Sequence, residues 1–334
     1  MKILLILLIC ETLQKSDVYF TKQISSSKMV EMLKKLNINL TGKVGLKIHS
    51  GEPGGLYFLK PDFLQEIYDY TNGDFLECNT AYESVRSYTD SHRKLLEQNG
   101  WTNNGRKIVI MDENPEDDFK LDIEKYEMIK ENYVGGHIKE YDSCVVLSHF
   151  KGHQMGGFGG ALKQLSIGFA SQKGKTWIHT AGEYTEWSHA MKDAASQEKF
   201  TAAMADAASS VVNYFRSKGQ IAFITVMANI SLSCDCAGAS APAPRIRDIG
   251  ILASTDPVAI DRAALDLVKE NVDVGTQDLF DQINRLKGEN TVEVAAKLGL
   301  GSLEYNLINV DGDNNGGANT IFNIDLFLLL ILLF

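Results

Sequence analysis

The chain has 334 residues, of which 44% are apolar, and its formal net charge is −10. This length suffices for one large α/β domain or two moderate ones, so a core can form without disulfide or metal staples. The acidic balance argues against non-specific nucleic-acid binding, which needs clustered positive charge.

The cysteines and the two apolar ends give different indications about location. Five cysteines, an odd number, show no spacing typical of a disulfide framework, so reduced thiols and a cytoplasmic protein are expected. However, residues 3–10 resemble the apolar region of a secretory signal, and residues 327–334 resemble the tail of a lipid-anchor signal. The tail is too short to span a bilayer, which takes about 20 apolar residues. The alternative is therefore a secreted or anchored protein that contacts a membrane only through its termini.

Between the ends, short apolar runs alternate with longer amphipathic stretches, a pattern typical of an α/β fold with a mostly parallel sheet covered by helices. The predicted strands are 17–21, 43–48, 74–79, 107–112, 143–149, 221–228 and 248–253. The predicted helices are 26–36, 61–71, 90–99, 196–216 and 257–270, each introduced by a serine, aspartate or proline. We expect an apolar leader at 1–15, a domain at 16–310 with a weak sub-boundary near 190–196, and a flexible linker and apolar tail at 311–334.

The segment from Ser148 to His179 is the most informative part of the sequence. It contains two glycine pairs, whose backbone N–H groups can approach a ligand closely, followed by Lys163 at the start of an expected helix. Such a lysine can pair with an anion or anchor a cofactor covalently. We expect Lys163, His153 and His179 to converge on one pocket, with His153 rather than His149 facing it. The expected cofactor cradle consists of Gly156, Gly157, Gly159 and Gly160.

Two arginines follow the strand predicted at 74–79. Ligands in an open α/β sheet lie beyond the carboxyl ends of the strands, where these side chains would project. Arg86 and Arg93 are therefore predicted to bind an anion through paired hydrogen bonds. We also expect the strands that end near Asn79 and His149 to lie side by side.

Cys234 and Cys236 form a CxC motif directly after a predicted strand. Two thiolates so close can bind one soft metal ion or one corner of an iron–sulfur cluster. A complete four-cysteine cluster within one chain is not expected, because Cys78 and Cys144 lie far away in the sequence. The motif is instead predicted to supplement His153 and His179 as metal ligands.

Three motifs, SHFKGHQMGGFGGALK, CDCAG and DIGILASTDPVAID, together resemble family 362 of the domains of unknown function, from about Asp17 to Asn309. Members are often described as uncharacterised iron–sulfur centre proteins, and many carry an insert with CxxCxxC spacing. This chain has no cysteine between Cys144 and Cys234, a departure that weakens an iron–sulfur role.

The GGFGGALK segment is also similar to the cofactor segment of the nickel-pincer lactate racemases. That resemblance implies a similar crevice, in which Lys163 would hold a pyridinium-derived pincer nucleotide and His179 would ligate nickel. His92, in the sequence Ser91-His92-Arg93, would match the proton-transfer base.

These observations predict a metal- or cofactor-dependent protein that performs redox or proton-transfer chemistry on a small anionic substrate. His92 and Lys163 would be catalytic, and the cofactor would be an iron or nickel ion or a pincer-type nucleotide. One alternative is a non-catalytic metal or iron–sulfur carrier, and another is a secreted or membrane-anchored binding protein. The oligomeric state stays open.

Overall fold

The computed structural model describes residues 15–312 and 321–322. The secretory signal expected at residues 3–10 and the lipid-anchor tail expected at residues 327–334 lie outside these ranges. None of the helices in the described ranges is long and apolar enough to cross a membrane.

The elements alternate along the chain as the sequence pattern predicts. The strands are β1 (Ser16–Thr21), β2 (Val44–Lys47), β3 (Asp74–Glu77), β4 (Ile108–Ile110), β5 (Phe119–Asp122), β6 (Glu131–Val134), β7 (Ser143–His149), β8 (Lys151–His153), β9 (Gly157–Gly159), β10 (Ile221–Met227), β11 (Gly250–Ser254), β12 (Tyr305–Asn309) and β13 (Ile321–Phe322). The helices are α1 (Ser26–Lys35), α2 (Gln65–Thr71), α3 (Thr89–Gln98), α4 (Ala161–Phe169), α5 (Gln172–His179), α6 (Gln197–Lys218), α7 (Pro257–Glu270), α8 (Thr276–Arg285) and α9 (Gly288–Lys297).

One large sheet organises the fold, in the order β13-β12-β1-β11-β10-β7-β2-β3-β4. Among the described strands of this sheet, only β11 and β13 run antiparallel to their neighbours, which confirms the expected mostly parallel α/β architecture. All seven predicted strands belong to this sheet, whereas β12 has no counterpart in the sequence-based prediction. Strands before and after the weak sub-boundary expected near 190–196 belong to this same sheet, because β7 pairs with β10.

The expectation that β3 and β7 are neighbours is wrong. Strand β2 lies between them, with Gly45 opposite Asp74 on one side and opposite Cys144 on the other. All four residues of β2 are buried, as is usual for an interior strand of a parallel sheet. This insertion brings the residues that follow β2 into the centre of the crevice.

Helices cover both faces of the sheet. Helices α4, α6 and α7 pack on one face, and their contacts include Phe169 and Phe215. Helices α1 and α2 pack on the other face, where Trp101 meets Phe75 edge-on with ring centroids 5.1 Å apart. Since both faces are covered, the strand ends become the place where polar side chains can gather around a ligand.

Candidate functional site

A cavity of about 320 Å³ lies beyond the carboxyl ends of β2, β3 and β7. Its charged and histidine lining residues come from several elements that are distant in sequence. These residues are His49, Glu77, Arg86, His153, Lys163, Lys175 and His179. The expected convergence of His153, Lys163 and His179 on one pocket is thus observed, and the roles assigned to them remain predictions.

The four glycines of the expected cradle do not line this cavity. They form the β8–β9 hairpin and the entry to α4, and at Gly157 and Gly160 a side chain has no room. A Cβ on Gly160 would lie 2.3 Å from Oδ1 of Asp261, and one on Gly157 would lie 2.9 Å from Cα of Gly288. Gly156 and Gly159 are buried beside them.

Asp261 occupies the two backbone amides that directly follow the glycines, at the start of α4. Its two carboxylate oxygens accept hydrogen bonds from the backbone N–H groups of Ala161 (2.7 Å) and Leu162 (2.9 Å). Since a protein carboxylate already caps α4, these two amides are occupied, and the cofactor cradle at Gly156, Gly157, Gly159 and Gly160 stays a prediction that the lining of this cavity does not support. The contact with Asp261 fixes the start of the helix that carries Lys163.

Lys163 reaches the cavity from the first turn of α4 and is half-buried. Within the described residues, its ammonium group has no hydrogen bond and no carboxylate at ion-pair distance. Burial, together with the positive charges of Lys151 and Lys47, lowers the pKa of Lys163 to about 7. The amine therefore exchanges between its charged and neutral forms near neutral pH, as a general acid or base should.

His153 and His179 present opposite hydrogen-bonding groups to the cavity, a donor and an acceptor respectively. Nδ1 of His153 accepts hydrogen bonds from the backbone N–H groups of Gly156 (2.9 Å) and Met155 (3.2 Å), so Nε2 of the neutral ring carries the proton. In His179, Nδ1–H donates to the carbonyl of Lys175 (2.7 Å), which leaves the lone pair on Nε2. Burial keeps both rings neutral, and it lowers the pKa of His179 to about 4. The cavity thus has one imidazole donor and one imidazole acceptor.

Arg86 is held rigidly at the other side of the cavity. Its guanidinium donates to Glu77 (2.7 Å), to Glu52 (3.2 Å) and to Nε2 of His92 (3.3 Å). Glu77 also pairs with Lys47 at 3.1 Å, and these cations hold the pKa of Glu77 well below its usual range despite burial. A buried guanidinium fixed by three partners is pre-organised to accept an anion on its remaining edge.

His49 lines the cavity and is not among the residues predicted from the sequence. It lies just beyond Ile48, which follows β2, and its Nδ1 accepts from the backbone N–H of Gly51 (3.1 Å), so Nε2 carries the proton. That nitrogen lies 3.4 Å from Nη1 of Arg86, which places two donors side by side. The oxygen of an anion between them would satisfy both. Ligands in an open α/β sheet lie beyond the carboxyl ends of the strands. This rule indicated the residues after 74–79, and it applies equally to His49, which follows the strand predicted at 43–48.

The roles predicted for His92 and Arg93 need correction. His92 is fully buried behind Arg86, and both ring nitrogens are engaged, because Nδ1–H donates to Asn79 (3.0 Å) while Nε2 accepts from Arg86. Burial lowers its pKa to about 3. It orients Arg86 and does not reach the cavity as a general base. Arg93, one position further along α3, points away from the cavity and pairs with Glu113 on the surface, so it does not clamp an anion with Arg86.

Gln164 supplies a second unsatisfied group to the cavity. This side chain is only 5% exposed, and among the described residues its amide nitrogen has no hydrogen-bond partner. A buried donor left unpaired costs about 1–3 kcal/mol, so an acceptor on a bound molecule would be stabilising here. Together with Lys163, it indicates that the cavity is built for a ligand with acceptor oxygens.

Cys234 and Cys236 line the cavity but are joined by a disulfide, whereas reduced thiols were expected from the cysteine count and spacing. Their sulfurs and a ring nitrogen of His153 lie within 4.8 Å of one another. In this state the set does not fit a metal ion, because the sulfurs are bonded together and His153 uses its lone pair for backbone amides. Cys78 and Cys144 are buried free thiols, and burial raises the pKa of both.

The charges that line the cavity favour an anion. Three cationic side chains, Arg86, Lys163 and Lys175, face it together with one carboxylate, Glu77, which is already paired with Arg86 and Lys47. A positively lined cavity in a protein of net charge −10 is a local feature and does not follow from the overall composition.

Comparisons with known proteins give a family and weak structural similarities. The sequence model of a family described as "Domain of unknown function (DUF362)" matches residues 44–266. No curated protein matches the sequence. Among solved structures, the lactate racemase apoprotein from Thermoanaerobacterium thermosaccharolyticum is similar at 12% identity and a TM-score of 0.43, over 78% of this chain and 58% of that one. A protein from Thermotoga maritima is similar at 11% identity and a TM-score of 0.37, over 82% of this chain and 59% of that one. The chain thus spans less than two thirds of either protein.

Proposed function

Because the chain belongs to this family, whose function is undefined, we propose an activity from the cavity alone: the protein binds a small anion and transfers a proton to or from it. The observation that carries the proposal is the Lys163 amine, which has a pKa of about 7 and lacks a partner among the described residues.

Anion binding would use donors that the fold holds in place. Arg86 and Nε2–H of His49 lie 3.4 Å apart and would share one acidic group of the ligand. Nε2–H of His153 and the amide nitrogen of Gln164 would donate to further acceptor oxygens. Donors that need no rearrangement can also stabilise negative charge that develops during the reaction.

Proton transfer would use Lys163 and His179. The neutral amine of Lys163 accepts a proton from the bound molecule, and the resulting ammonium group stabilises the charge left behind. Nε2 of His179 is a second acceptor, since its lone pair faces the cavity while Nδ1–H is fixed by the carbonyl of Lys175. A positioned general base contributes about 10²–10⁴-fold to such a rate.

The test is solvent deuterium incorporation into small carboxylates that carry an exchangeable C–H bond beside the carboxyl group, followed by NMR. Lys163→Met removes the amine and keeps the length of the side chain, and we expect exchange to slow by about 10²–10⁴-fold. Lys173→Met is the matched control, because Lys173 is exposed and stacks on Tyr133 outside the cavity. Equal exchange by wild type and Lys163→Met would refute the assignment of the base.

The pincer-type nucleotide implied by the resemblance is a second candidate, favoured by the unpartnered Lys163 amine and the free lone pair of His179. Lys163 would anchor that group and His179 would ligate its nickel, and the group would supply an electron-accepting centre for redox chemistry. Native mass spectrometry of the purified protein distinguishes the candidates. An added mass that is lost in Lys163→Ala supports the cofactor, whereas the bare polypeptide mass supports proton transfer by the free amine.

A metal carrier is a third candidate, favoured by the proximity of Cys234, Cys236 and His153 within 4.8 Å. It requires reduction of the disulfide before a metal can bind. Metal analysis of reduced wild type and Cys234→Ser tests it, and retention of the metal by the variant would discard the carrier.

A further inference from the structure

The Cys234–Cys236 disulfide lies in the wall of the cationic cavity, where a molecule bound in the cavity can reach it. The loop that carries it is anchored by the residue between the two cysteines. Asp235 is buried, accepts a hydrogen bond from Nδ1 of His149 at 3.1 Å and pairs with Lys151. This anchor does not depend on the sulfur–sulfur bond, so the loop would keep its place beside the cavity after reduction.

The two sulfurs differ in accessibility. Cys234 is 3% exposed, whereas Cys236 is half-buried at the cavity wall. Thiol–disulfide exchange proceeds by attack of a thiolate on one sulfur, and access decides which sulfur is attacked. Cys236 is therefore the sulfur that an incoming thiol would reach, and Cys234 would be the leaving group.

The charges around the disulfide select the incoming molecule. Lys163, Lys175 and Arg86 line the same cavity, so a thiolate that carries a carboxylate is attracted while a cationic thiol is repelled. A protonated Lys163 would also stabilise the thiolate that leaves on Cys234.

We propose that Cys234–Cys236 is a redox-active disulfide that exchanges with a small anionic thiol bound in the cavity. The thiolate attacks Sγ of Cys236, the sulfur–sulfur bond breaks, and its electron pair passes to Sγ of Cys234, which takes up a proton. A second equivalent of the thiol attacks the mixed disulfide and releases Cys236 as a thiol after it takes up a proton. The pair gains two electrons and two protons, and two small thiols are oxidised to one small disulfide.

The first test compares 3-mercaptopropionate with 2-aminoethanethiol at equal thiolate concentration on the full-length protein. Reduction is followed by iodoacetamide labelling and peptide mass spectrometry, with buried Cys144 as the internal control for unfolding. We expect the anionic thiol to react at least about tenfold faster, and Lys163→Met but not Lys173→Met to diminish the difference. Equal or faster reaction of the cationic thiol would overturn the proposal.

The second test separates the two sulfurs. Cys234→Ser should form a stable mixed disulfide with 3,3′-dithiodipropionate through Cys236, whereas Cys236→Ser should not, since Cys234 is buried. The reverse pattern, or a reduced wild-type pair that binds zinc and fails to reoxidise, would show that the motif is not a redox centre. The labelling does not depend on the proton-transfer activity, so failure of either proposal is recognised separately.

Discussion

Replacing Asp261 by alanine tests whether a protein carboxylate, and not a ligand, satisfies the amides at the start of α4. Asp261 is fully buried, and its oxygens accept from Ala161 N–H at 2.7 Å and Leu162 N–H at 2.9 Å. The alanine variant leaves two buried donors unpaired, at about 1–3 kcal/mol each. We expect the free energy of unfolding to fall by about 2–6 kcal/mol.

Asp261→Asn serves as the matched variant, because its single amide oxygen can still accept from one of the two N–H groups. The loss should then be about half that of Asp261→Ala. Urea denaturation followed by circular dichroism measures both values. A loss below about 0.5 kcal/mol for Asp261→Ala, the size of an ordinary surface substitution, would refute the reasoning that Asp261 satisfies these amides.

Three further predictions concern the cavity. Glu77→Gln leaves Lys47 and Arg86 without their shared carboxylate, so the free energy of unfolding in urea should fall by about 3–5 kcal/mol, and an unchanged value would contradict the buried network. His92→Asn should weaken the calorimetric affinity for small carboxylates through loss of Arg86 orientation while the pH profile of exchange stays unchanged; a shifted profile would restore His92 as the base. The kcat/KM of deuterium exchange, which reports the free protein, should rise with pH and level off above about 7, where Lys163 is neutral, whereas a kcat/KM that falls over this range would mean that the charged amine is the reactive form.

Much of the fold could be predicted from the sequence, because strand periodicity and first-turn residues are local signals. The strand predicted at 43–48 appears as β2, and the helix predicted at 257–270 appears as α7. The neighbours of each strand could not be predicted, since pairing depends on the whole sheet. The wrong expectation that β3 and β7 are neighbours arose there.

Only part of the candidate site could be predicted, again because contacts between residues distant in sequence cannot be read from local patterns. Lys163, His153 and His179 stand out by their spacing to the glycines, and all three line the cavity. The glycines themselves were assigned to a ligand, because the sequence does not reveal that Asp261, 100 positions beyond Ala161, returns to cap the same helix. His92 and Arg93 are adjacent on α3, and only the structure shows that one faces Arg86 and the other the surface.

The pH dependence of anion affinity tests the central claim most directly. Isothermal titration calorimetry of wild type, Lys163→Met and Lys173→Met with a small carboxylate between pH 6 and pH 9 gives the required curves. A charged Lys163 favours the anion, and its pKa of about 7 means that this charge is lost as the pH rises. The account predicts that wild-type affinity falls by up to about tenfold per pH unit above pH 7, that Lys173→Met follows it, and that Lys163→Met binds weakly at every pH. A pH-independent wild-type affinity, or the same slope in Lys163→Met, would contradict the account.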